Sequence, residues 1–328
     1  AISPSGARAV FAFRGEIVTV PAEKGDARDI TNTPGANERS PIWSPDGVSI
    51  AYFSDESGEY ELCIRDQEGR TDAKKFKLNG AGFYGSPEWS PDGQKLAYAD
   101  HSLTLYWIDL KTGAQKKIGA EYIYQPGGQA QVSSSWSPDS KWLAYTLSTP
   151  TYFRRAFVYS LDQDKSFPVT DGLSDVSEPV FDPSGKYLYF FASTDAGPSR
   201  QWFDMSNADV HETSSLYLVA LRKDIPNPLA KESDEEKILP AKEEKKAEPA
   251  AKPEAKKEAA AKPPEAFRID FDGLDRRIVA VPIPAGVYQN LVIGESGKIY
   301  FLSFSLPASL DAAMTGENPS GSLHVYDL

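Results

Sequence analysis

Apolar and polar residues alternate in short runs along this chain, and the runs come in groups. The clearest runs are residues 48–53 (VSIAYF), 60–65 (YELCIR), 94–99 (QKLAYA), 103–108 (LTLYWI) and 156–161 (AFVYSL). Alternation with a period of two is typical of β-strands that bury one face. More polar runs at 73–78, 115–118 and 167–170 predict one further strand in each group. The pattern therefore predicts consecutive antiparallel strands, in groups of four.

A short turn phrase marks each group. WSPDG occupies 43–47 and 89–93, WSPDS occupies 136–140, and SPSG at 3–6, FDPSG at 181–185 and GESG at 294–297 are weaker copies. Proline fixes φ early in such a turn, and glycine accepts the left-handed backbone that closes it. The first five phrases recur 41 to 47 residues apart, the length of one four-stranded propeller blade. We predict an all-β propeller with six visible blades, in which Trp43, Trp89 and Trp136 fill the space between blades.

Residues 231–264 interrupt this pattern. They contain nine lysines, nine acidic residues, eight alanines and five prolines, without apolar periodicity. Such a segment buries too little apolar surface to offset its chain entropy, so we predict a disordered insertion. The strand pattern resumes at 267–272, 277–281, 294–302 and 323–328. The whole of 1–328 is therefore expected to form a single propeller domain with one insertion.

The two ends of the sequence bear on the number of blades. The first residues already belong to a turn phrase, and 323–328 corresponds to the third strand of the last blade. A propeller closes by joining its first and last blades, since an open end leaves unpaired strand edges. We expect either an imperfect ring of six blades or, more simply, part of a seven-bladed propeller in a longer protein.

Charge and composition exclude several classes of function. The net charge is −12, and all of it lies outside the neutral insertion, which argues against electrostatic binding of nucleic acid. No apolar run approaches the roughly 18 residues of a membrane span. The single cysteine, Cys63, has no internal disulfide partner and lies in a predicted strand, where a buried thiol is expected. A cytoplasmic location is expected, with the periplasm as the alternative.

Recognisable catalytic and cofactor motifs are missing from the sequence. The three histidines, His101, His211 and His324, lie in different blades or loops, and there is neither a Gly-x-Ser-x-Gly elbow nor a His-Glu-x-x-His pair. The glycines of residues 80–85 run into a strand, whereas a dinucleotide fingerprint leads into a helix. Residues 55–59 (DESGE) lack the alternating oxygen ligands of a calcium loop. We predict no catalytic residue, no cofactor and no metal site.

Several phrases outside the turns resemble the second propeller of the tricorn protease family. They are residues 2–11 (ISPSGARAVF), 37–41 (NERSP), 52–62 (YFSDESGEYEL), 216–224 (LYLVALRKD), 269–274 (IDFDGL) and 281–286 (VPIPAG). The resemblance implies a seven-bladed propeller ahead of a PDZ-like module and a serine peptidase domain, with oligopeptides as substrates and a homo-oligomer as one allowed assembly. It implies a channel or filter that admits peptides to the catalytic chamber. The family's catalytic residues belong to the peptidase domain, so none is carried over to this sequence.

Candidate contacts with a peptide follow from propeller geometry. The first strand of each blade precedes the turn phrase and lies nearest the axis, so residues in or just ahead of it are expected at the channel or its rim. These are Glu38, Arg39, Tyr84, Ser133, Asp175 and Glu178. Arg154 and Arg155, in the connection 148–155, are candidates for binding a peptide carboxylate. Each of the first six residues is equally compatible with a solvated side chain or a bond to a neighbouring strand, whereas for the arginine pair a solvated position is the favoured alternative.

Two other functions remain open at the level of sequence. Similar Ser-Pro-Asp-Gly repeats occur in the TolB propeller, which is a protein-interaction scaffold. A third interpretation is the regulatory propeller of a prolyl-oligopeptidase-type enzyme, which would accompany an α/β-hydrolase domain. The phrases specific to the tricorn family favour the peptide channel.

Overall fold

A computed structural model describes residues 1–121, 132–151, 153–194, 212–230, 267–294, 297–305 and 321–328. The strands in these ranges form six antiparallel sheets that follow one another along the chain. This arrangement confirms the all-β prediction. The predicted disordered insertion at 231–264 lies outside the described residues, as does His211.

The first three sheets lie in residues 8–120. The first comprises β1 (Arg8–Phe13), β2 (Glu16–Pro21) and β3 (Arg28–Asp29). The second comprises β4 (Glu38–Trp43), β5 (Ser49–Ser54), β6 (Glu61–Asp66) and β7 (Lys74–Lys77). The third comprises β8 (Tyr84–Trp89), β9 (Lys95–Asp100), β10 (Thr104–Asp109) and β11 (Gln115–Ala120).

The other three sheets lie in residues 134–327. The fourth comprises β12 (Ser134–Trp136), β13 (Trp142–Ser148), β14 (Arg154–Ser160) and β15 (Lys165–Pro168). The fifth comprises β16 (Asp175–Phe181), β17 (Tyr187–Ser193), β18 (Ser215–Ala220) and β19 (Ile278–Ala280). The sixth comprises β20 (Val287–Ile293), β21 (Lys298–Phe304) and β22 (Gly321–Asp327).

Each sheet is a meander in which the strands pair in the order of the chain. In the first sheet, an isolated bridge between Ile2 and Ala9 occupies the place of a strand before β1. In the sixth sheet, β22 is the third strand, as the sequence predicts. The predicted second and third strands of the middle sheets agree with the structure to within about two residues, which is the usual uncertainty of strand ends.

The turn phrases have the predicted backbone. Gly47 and Gly93 adopt φ of 71° and 67°, and Ser140, which replaces glycine in the third phrase, adopts 59°. The serine compensates for its less favourable conformation with a bond between sheets, because its Oγ accepts a hydrogen bond of 3.0 Å from the backbone N–H of Asp92. This hydrogen bond joins the turn that follows β8 to the turn that follows β12.

The apolar core lies between consecutive sheets. Trp43 packs with Val10 and Ile17 of the first sheet and with Ile30, which directly follows β3. Trp136 packs with Ala97 and other residues of the third sheet. Both indoles are buried, while Trp89 is partly buried against the cluster between the second and third sheets. The prediction that these tryptophans fill the space between blades is confirmed. Because blades cover both faces of the central strands, β5 and β9 are buried along nearly their whole length.

The prediction of a strand at 267–272 is wrong. These residues form an irregular segment whose backbone is held by a 2.9 Å bond from the Asp270 N–H to the Leu221 carbonyl. The alternating side chains fill the space between the fourth and fifth sheets: the Phe271 ring stacks on Phe167 at 4.2 Å, and Phe267 meets Phe181 at 5.9 Å. The fourth-strand position is taken by β19 instead. Alternation here reflects packing of every second side chain rather than pairing of the backbone.

Candidate functional site

The first strands of the sheets form the candidate channel. In the second to sixth sheets, β4, β8, β12, β16 and β20 are edge strands, and consecutive sheets contact each other through these strands. In a propeller this edge faces the central axis. We call the face at which these strands begin the upper face. Because the strands are antiparallel, the second strand of each sheet ends at this face and the third strand begins there. In the second sheet, Ser54 at the end of β5 pairs with Glu38 at the start of β4 and with Glu61 at the start of β6.

A bulge interrupts the axial edge of four sheets. The pairing register shifts within β4, β8, β16 and β20. At each shift one residue other than glycine has positive φ, and these residues are Ser40, Ser86, Glu178 and Asn290. Proline follows the first three, and it has no N–H to donate. Because bulges and prolines break the row of free backbone groups, an extended peptide cannot pair continuously along these edges.

Two of the predicted contact residues have buried side chains. Glu38 is 2% exposed, accepts a short hydrogen bond from Thr33 Oγ1, and accepts a second, of 3.3 Å, from Ser54 Oγ. Burial raises the pKa of its carboxyl group. Tyr84 is 6% exposed, and its ring lies 5.7 Å from that of Tyr98. Burial of both side chains argues against direct contact with a peptide. No observation tests that contact, so it stays a prediction for both residues.

Both predicted arginines already bind partners within the protein. Arg154 binds both carboxylate oxygens of Asp175, with Nε at 3.1 Å from each, and its backbone N–H donates to Oδ1 at 2.7 Å. This ion pair joins β14 to β16 and therefore the fourth sheet to the fifth. Arg155 donates to the Thr170 carbonyl, and its guanidinium lies 5.7 Å from the Phe157 ring. Binding of a peptide carboxylate by either arginine stays a prediction that requires these partners to be exchanged.

Ser133, Glu178 and Arg39 lie where the sequence places them, in or beside first strands, and all are partly exposed. The Glu178 carboxylate accepts a 2.7 Å hydrogen bond from the Leu291 N–H and so joins β16 to β20. The Ser133 carbonyl accepts a bond from the Thr146 N–H. Arg39 is different, because its guanidinium lies over the Phe83 ring of the next sheet. Their contact with a peptide stays a prediction.

Glu88, which the sequence reasoning missed, joins the third and fourth sheets. Its carboxylate accepts hydrogen bonds of 2.7 Å from Ser134 Oγ and 3.3 Å from the Trp136 N–H, and its carbonyl accepts one of 3.2 Å from the Trp136 indole. Burial raises the pKa of Glu88 to about 7, and these hydrogen bonds oppose part of the rise. Ser135, one repeat later, accepts the Phe181 N–H in the same way. Glu88 and Ser135 share one sequence position, directly before the tryptophan of the turn phrase, and this position is the signal that could have identified them.

The described residues contain little reactive chemistry. Within them, no group of three or more His, Cys, Asp or Glu is placed to hold a metal ion. Cys63 is buried, and burial raises the pKa of its thiol to about 12, which disfavours the nucleophilic thiolate at neutral pH. Among the same residues, no helix is long and apolar enough to cross a membrane.

Comparisons with known proteins identify the family of this chain. A family model described as "Tricorn protease second beta propeller domain" matches residues 1–328. Tricorn protease homolog 1 of Streptomyces coelicolor is 25% identical over 97% of the chain and 29% of its own length. Tricorn protease homolog of Saccharolobus solfataricus is 25% identical over 59% of the chain and 15% of its own length. The chain thus spans less than a third of the length of these relatives.

Among solved structures, the crystal structure of the tricorn protease is similar to the chain. It superposes with a TM-score of 0.72 over 98% of the chain and 28% of its own length, at 19% sequence identity. A likeness at this identity shows a shared fold.

Proposed function

Because the chain belongs to the tricorn protease second beta propeller domain family, we propose that it is a non-catalytic domain of a tricorn-like serine protease and admits oligopeptides along its axis. The observation that carries this proposal is the family match over residues 1–328. The same match favours it over a TolB-like scaffold and over a prolyl-oligopeptidase propeller. The partners we propose are oligopeptides and the PDZ-like and peptidase domains of the same polypeptide.

The axial edges support passage rather than tight binding. A conduit must hold its cargo weakly, whereas an uninterrupted edge strand binds an extended peptide through successive backbone hydrogen bonds. Bulges at Ser40, Ser86, Glu178 and Asn290 limit such pairing. Backbone N–H groups of the following sheet donate to Glu88, Ser135 and Glu178, and these bonds hold neighbouring blades together around the axis. The domain therefore controls entry without tight binding of the peptide backbone, and hydrolysis belongs to another domain.

Narrowing the passage should reduce cleavage of long peptides more than cleavage of short ones. We would introduce Ser86→Cys at the bulge of β8 in a tricorn-like protease that carries this domain, and attach a polyethylene glycol maleimide. Within this domain the label should attach selectively at position 86, because Cys63, the single natural cysteine of the 328 residues, is only 2% exposed. The measurement is the ratio of turnover for a long peptide to turnover for a short chromogenic peptide, and we expect it to fall severalfold after labelling.

The matched control is Lys117→Cys, labelled in the same way on the exposed outer strand β11. Its turnover ratio should stay unchanged. An equal loss of turnover for both peptides, or an equal fall of the ratio in the control, contradicts a role in peptide access.

A further inference from the structure

An exposed cluster of aromatic rings lies on the upper face where the second and third sheets meet. Phe83, directly before β8, is 52% exposed. Its ring centroid lies 5.2 Å from that of Tyr60 and 6.5 Å from that of His101. Large apolar side chains that are grouped at a surface are typical of recognition sites, whereas single ones are common and carry no such meaning.

The loop that carries Phe83 has a defined conformation. Gly80 and Gly82 adopt φ of 113° and 52°, and the Ala81 N–H donates to Asp100 Oδ2 at 3.1 Å. A Cβ on Gly80 would lie 2.6 Å from the same carboxylate oxygen, so glycine is required for this close approach. The loop therefore holds the Phe83 ring in a fixed position at the surface, which reduces the entropy lost when a ligand binds.

Tyr60 is positioned by a second set of contacts. Its hydroxyl accepts a 2.7 Å hydrogen bond from the Asn37 side-chain amide, while the Asn37 backbone N–H donates to Asp55 Oδ1 at 2.6 Å. The planes of the Tyr60 and Phe83 rings are inclined by 42°. Two inclined rings expose both a face and an edge, which are the geometries in which a third ring packs well.

Arg39 adds hydrogen-bond donors to the cluster. Its Cζ lies 5.5 Å from the Phe83 centroid, a cation–π distance. Among the residues that the structure describes, no carboxylate forms an ion pair with its guanidinium. A guanidinium that stacks on a ring keeps its in-plane N–H groups for other acceptors. Tyrosine and arginine are among the residue types that contribute most of the binding energy at protein interfaces.

We propose that Tyr60, Phe83 and Arg39 form a subsite for an aromatic side chain of an extended peptide. The peptide ring packs on Phe83 and Tyr60, and Arg39 donates to a peptide carbonyl oxygen next to it. The favoured peptide is neutral or basic, because Asp55 and Glu59 lie in the same hairpin as Tyr60 and the chain carries a net charge of −12. This inference rests on the proposed function and gives the passage a preference for peptides with aromatic residues.

The test is binding of labelled peptides to the 328-residue chain by fluorescence anisotropy. Three neutral peptides of equal length, capped at both ends, differ only in a central Phe, Leu or Ala. We expect the Phe peptide to bind about tenfold more tightly than the Ala peptide, with Leu between them. Phe83→Ala should bring this ratio close to one, and Phe83→Leu should leave an intermediate ratio. Arg39→Gln should weaken binding of the Phe peptide severalfold.

The first sheet provides matched controls. Phe13 is 58% exposed, and the guanidinium of Arg14 lies 5.2 Å from its ring, as in the pair of Phe83 and Arg39. Phe13→Ala and Arg14→Gln should leave all three affinities unchanged. Thermal midpoints verify that each variant is folded. Equal affinities for the three peptides, an unchanged ratio in Phe83→Ala, or an equal loss in Phe13→Ala overturns the subsite.

This result is separable from the proposed function. Anisotropy reports binding to the propeller without turnover, whereas the labelling experiment reports passage. An aromatic preference that persists while the labelled Ser86→Cys enzyme shows no change of ratio contradicts only the role in access. A change of that ratio without any aromatic preference contradicts only the subsite.

Discussion

Gly69→Val should destabilise the protein by about 4 kcal/mol, because two separate penalties act at this position. Gly69 closes the hairpin between β6 and β7 with φ of 69°, a conformation that a β-branched residue strongly disfavours. A Cβ would in addition lie 2.8 Å from the Ile30 carbonyl oxygen and 3.0 Å from the Ile30 Cα. These are backbone atoms of the residue that directly follows β3, and they cannot rotate away as a side chain can, so the contact between the first and second sheets must open.

Gly58→Val separates the two penalties. Gly58 closes the preceding hairpin of the same sheet with φ of 95°, and a Cβ there meets no atom within 4 Å. Urea unfolding of both variants should therefore show the larger loss for Gly69→Val, by about 2 kcal/mol. Equal losses would mean that only the backbone conformation matters and that the packing of Gly69 on Ile30 contributes nothing.

Replacing Glu88 by Gln should remove a pH dependence of stability. The pKa of Glu88 rises from 4.5 to about 7 on folding, so the native protein binds its proton more tightly than the unfolded chain does. The stability from this proton is complete below about pH 4.5 and is lost as the pH rises to about 7. The full shift corresponds to about 3 kcal/mol, and since Glu88 keeps some contact with water we expect about 1–2 kcal/mol.

Glutamine preserves the contacts of Glu88 while removing its charge. Its amide oxygen still accepts the Trp136 N–H, and its NH₂ group donates to Ser134 Oγ. The free energy of unfolding of Glu88→Gln relative to wild type should therefore increase by about 1–2 kcal/mol between pH 5 and pH 8. Glu23→Gln, at an exposed position, should show no such change. If the free energy of unfolding of Glu88→Gln differs from that of wild type by the same amount at pH 5 and pH 8, the Glu88 carboxyl does not titrate between these pH values.

Local sequence information predicts much of the fold because the turn phrases and the alternation act within a few residues. The positive φ of Gly47 and Gly93 follows from turn chemistry alone. The segment 267–272 shows the limit of this reasoning. Its alternation matches a strand, but packing of Phe267 and Phe271 against the fourth and fifth sheets decides its conformation. Periodicity reports which side chains are buried, and it does not report whether the backbone pairs.

The candidate site was predictable only as a region. Propeller geometry places Arg39, Ser133 and Glu178 in or beside first strands, and the structure agrees. It does not show that Glu38 and Tyr84 turn into the interior, because a strand sends alternate side chains to opposite faces and a bulge exchanges the two. Three of the four bulges have a sequence signal, a Ser-Pro or Glu-Pro pair whose proline lies two residues ahead of Trp43, Trp89 or Phe181, whereas Asn290 is followed by leucine.

The sequence by itself determined the strands, their grouping and the blade repeat, since these depend on turn residues and on alternation within about ten positions. Tertiary structure decided which residues of successive blades meet. Glu88 bonds to Ser134, 46 residues away, and Glu178 bonds to Leu291, 113 residues away. Arg39 likewise finds Phe83 only when the second and third sheets pack. Such pairs depend on how whole sheets are set against one another, and no local pattern encodes that relation.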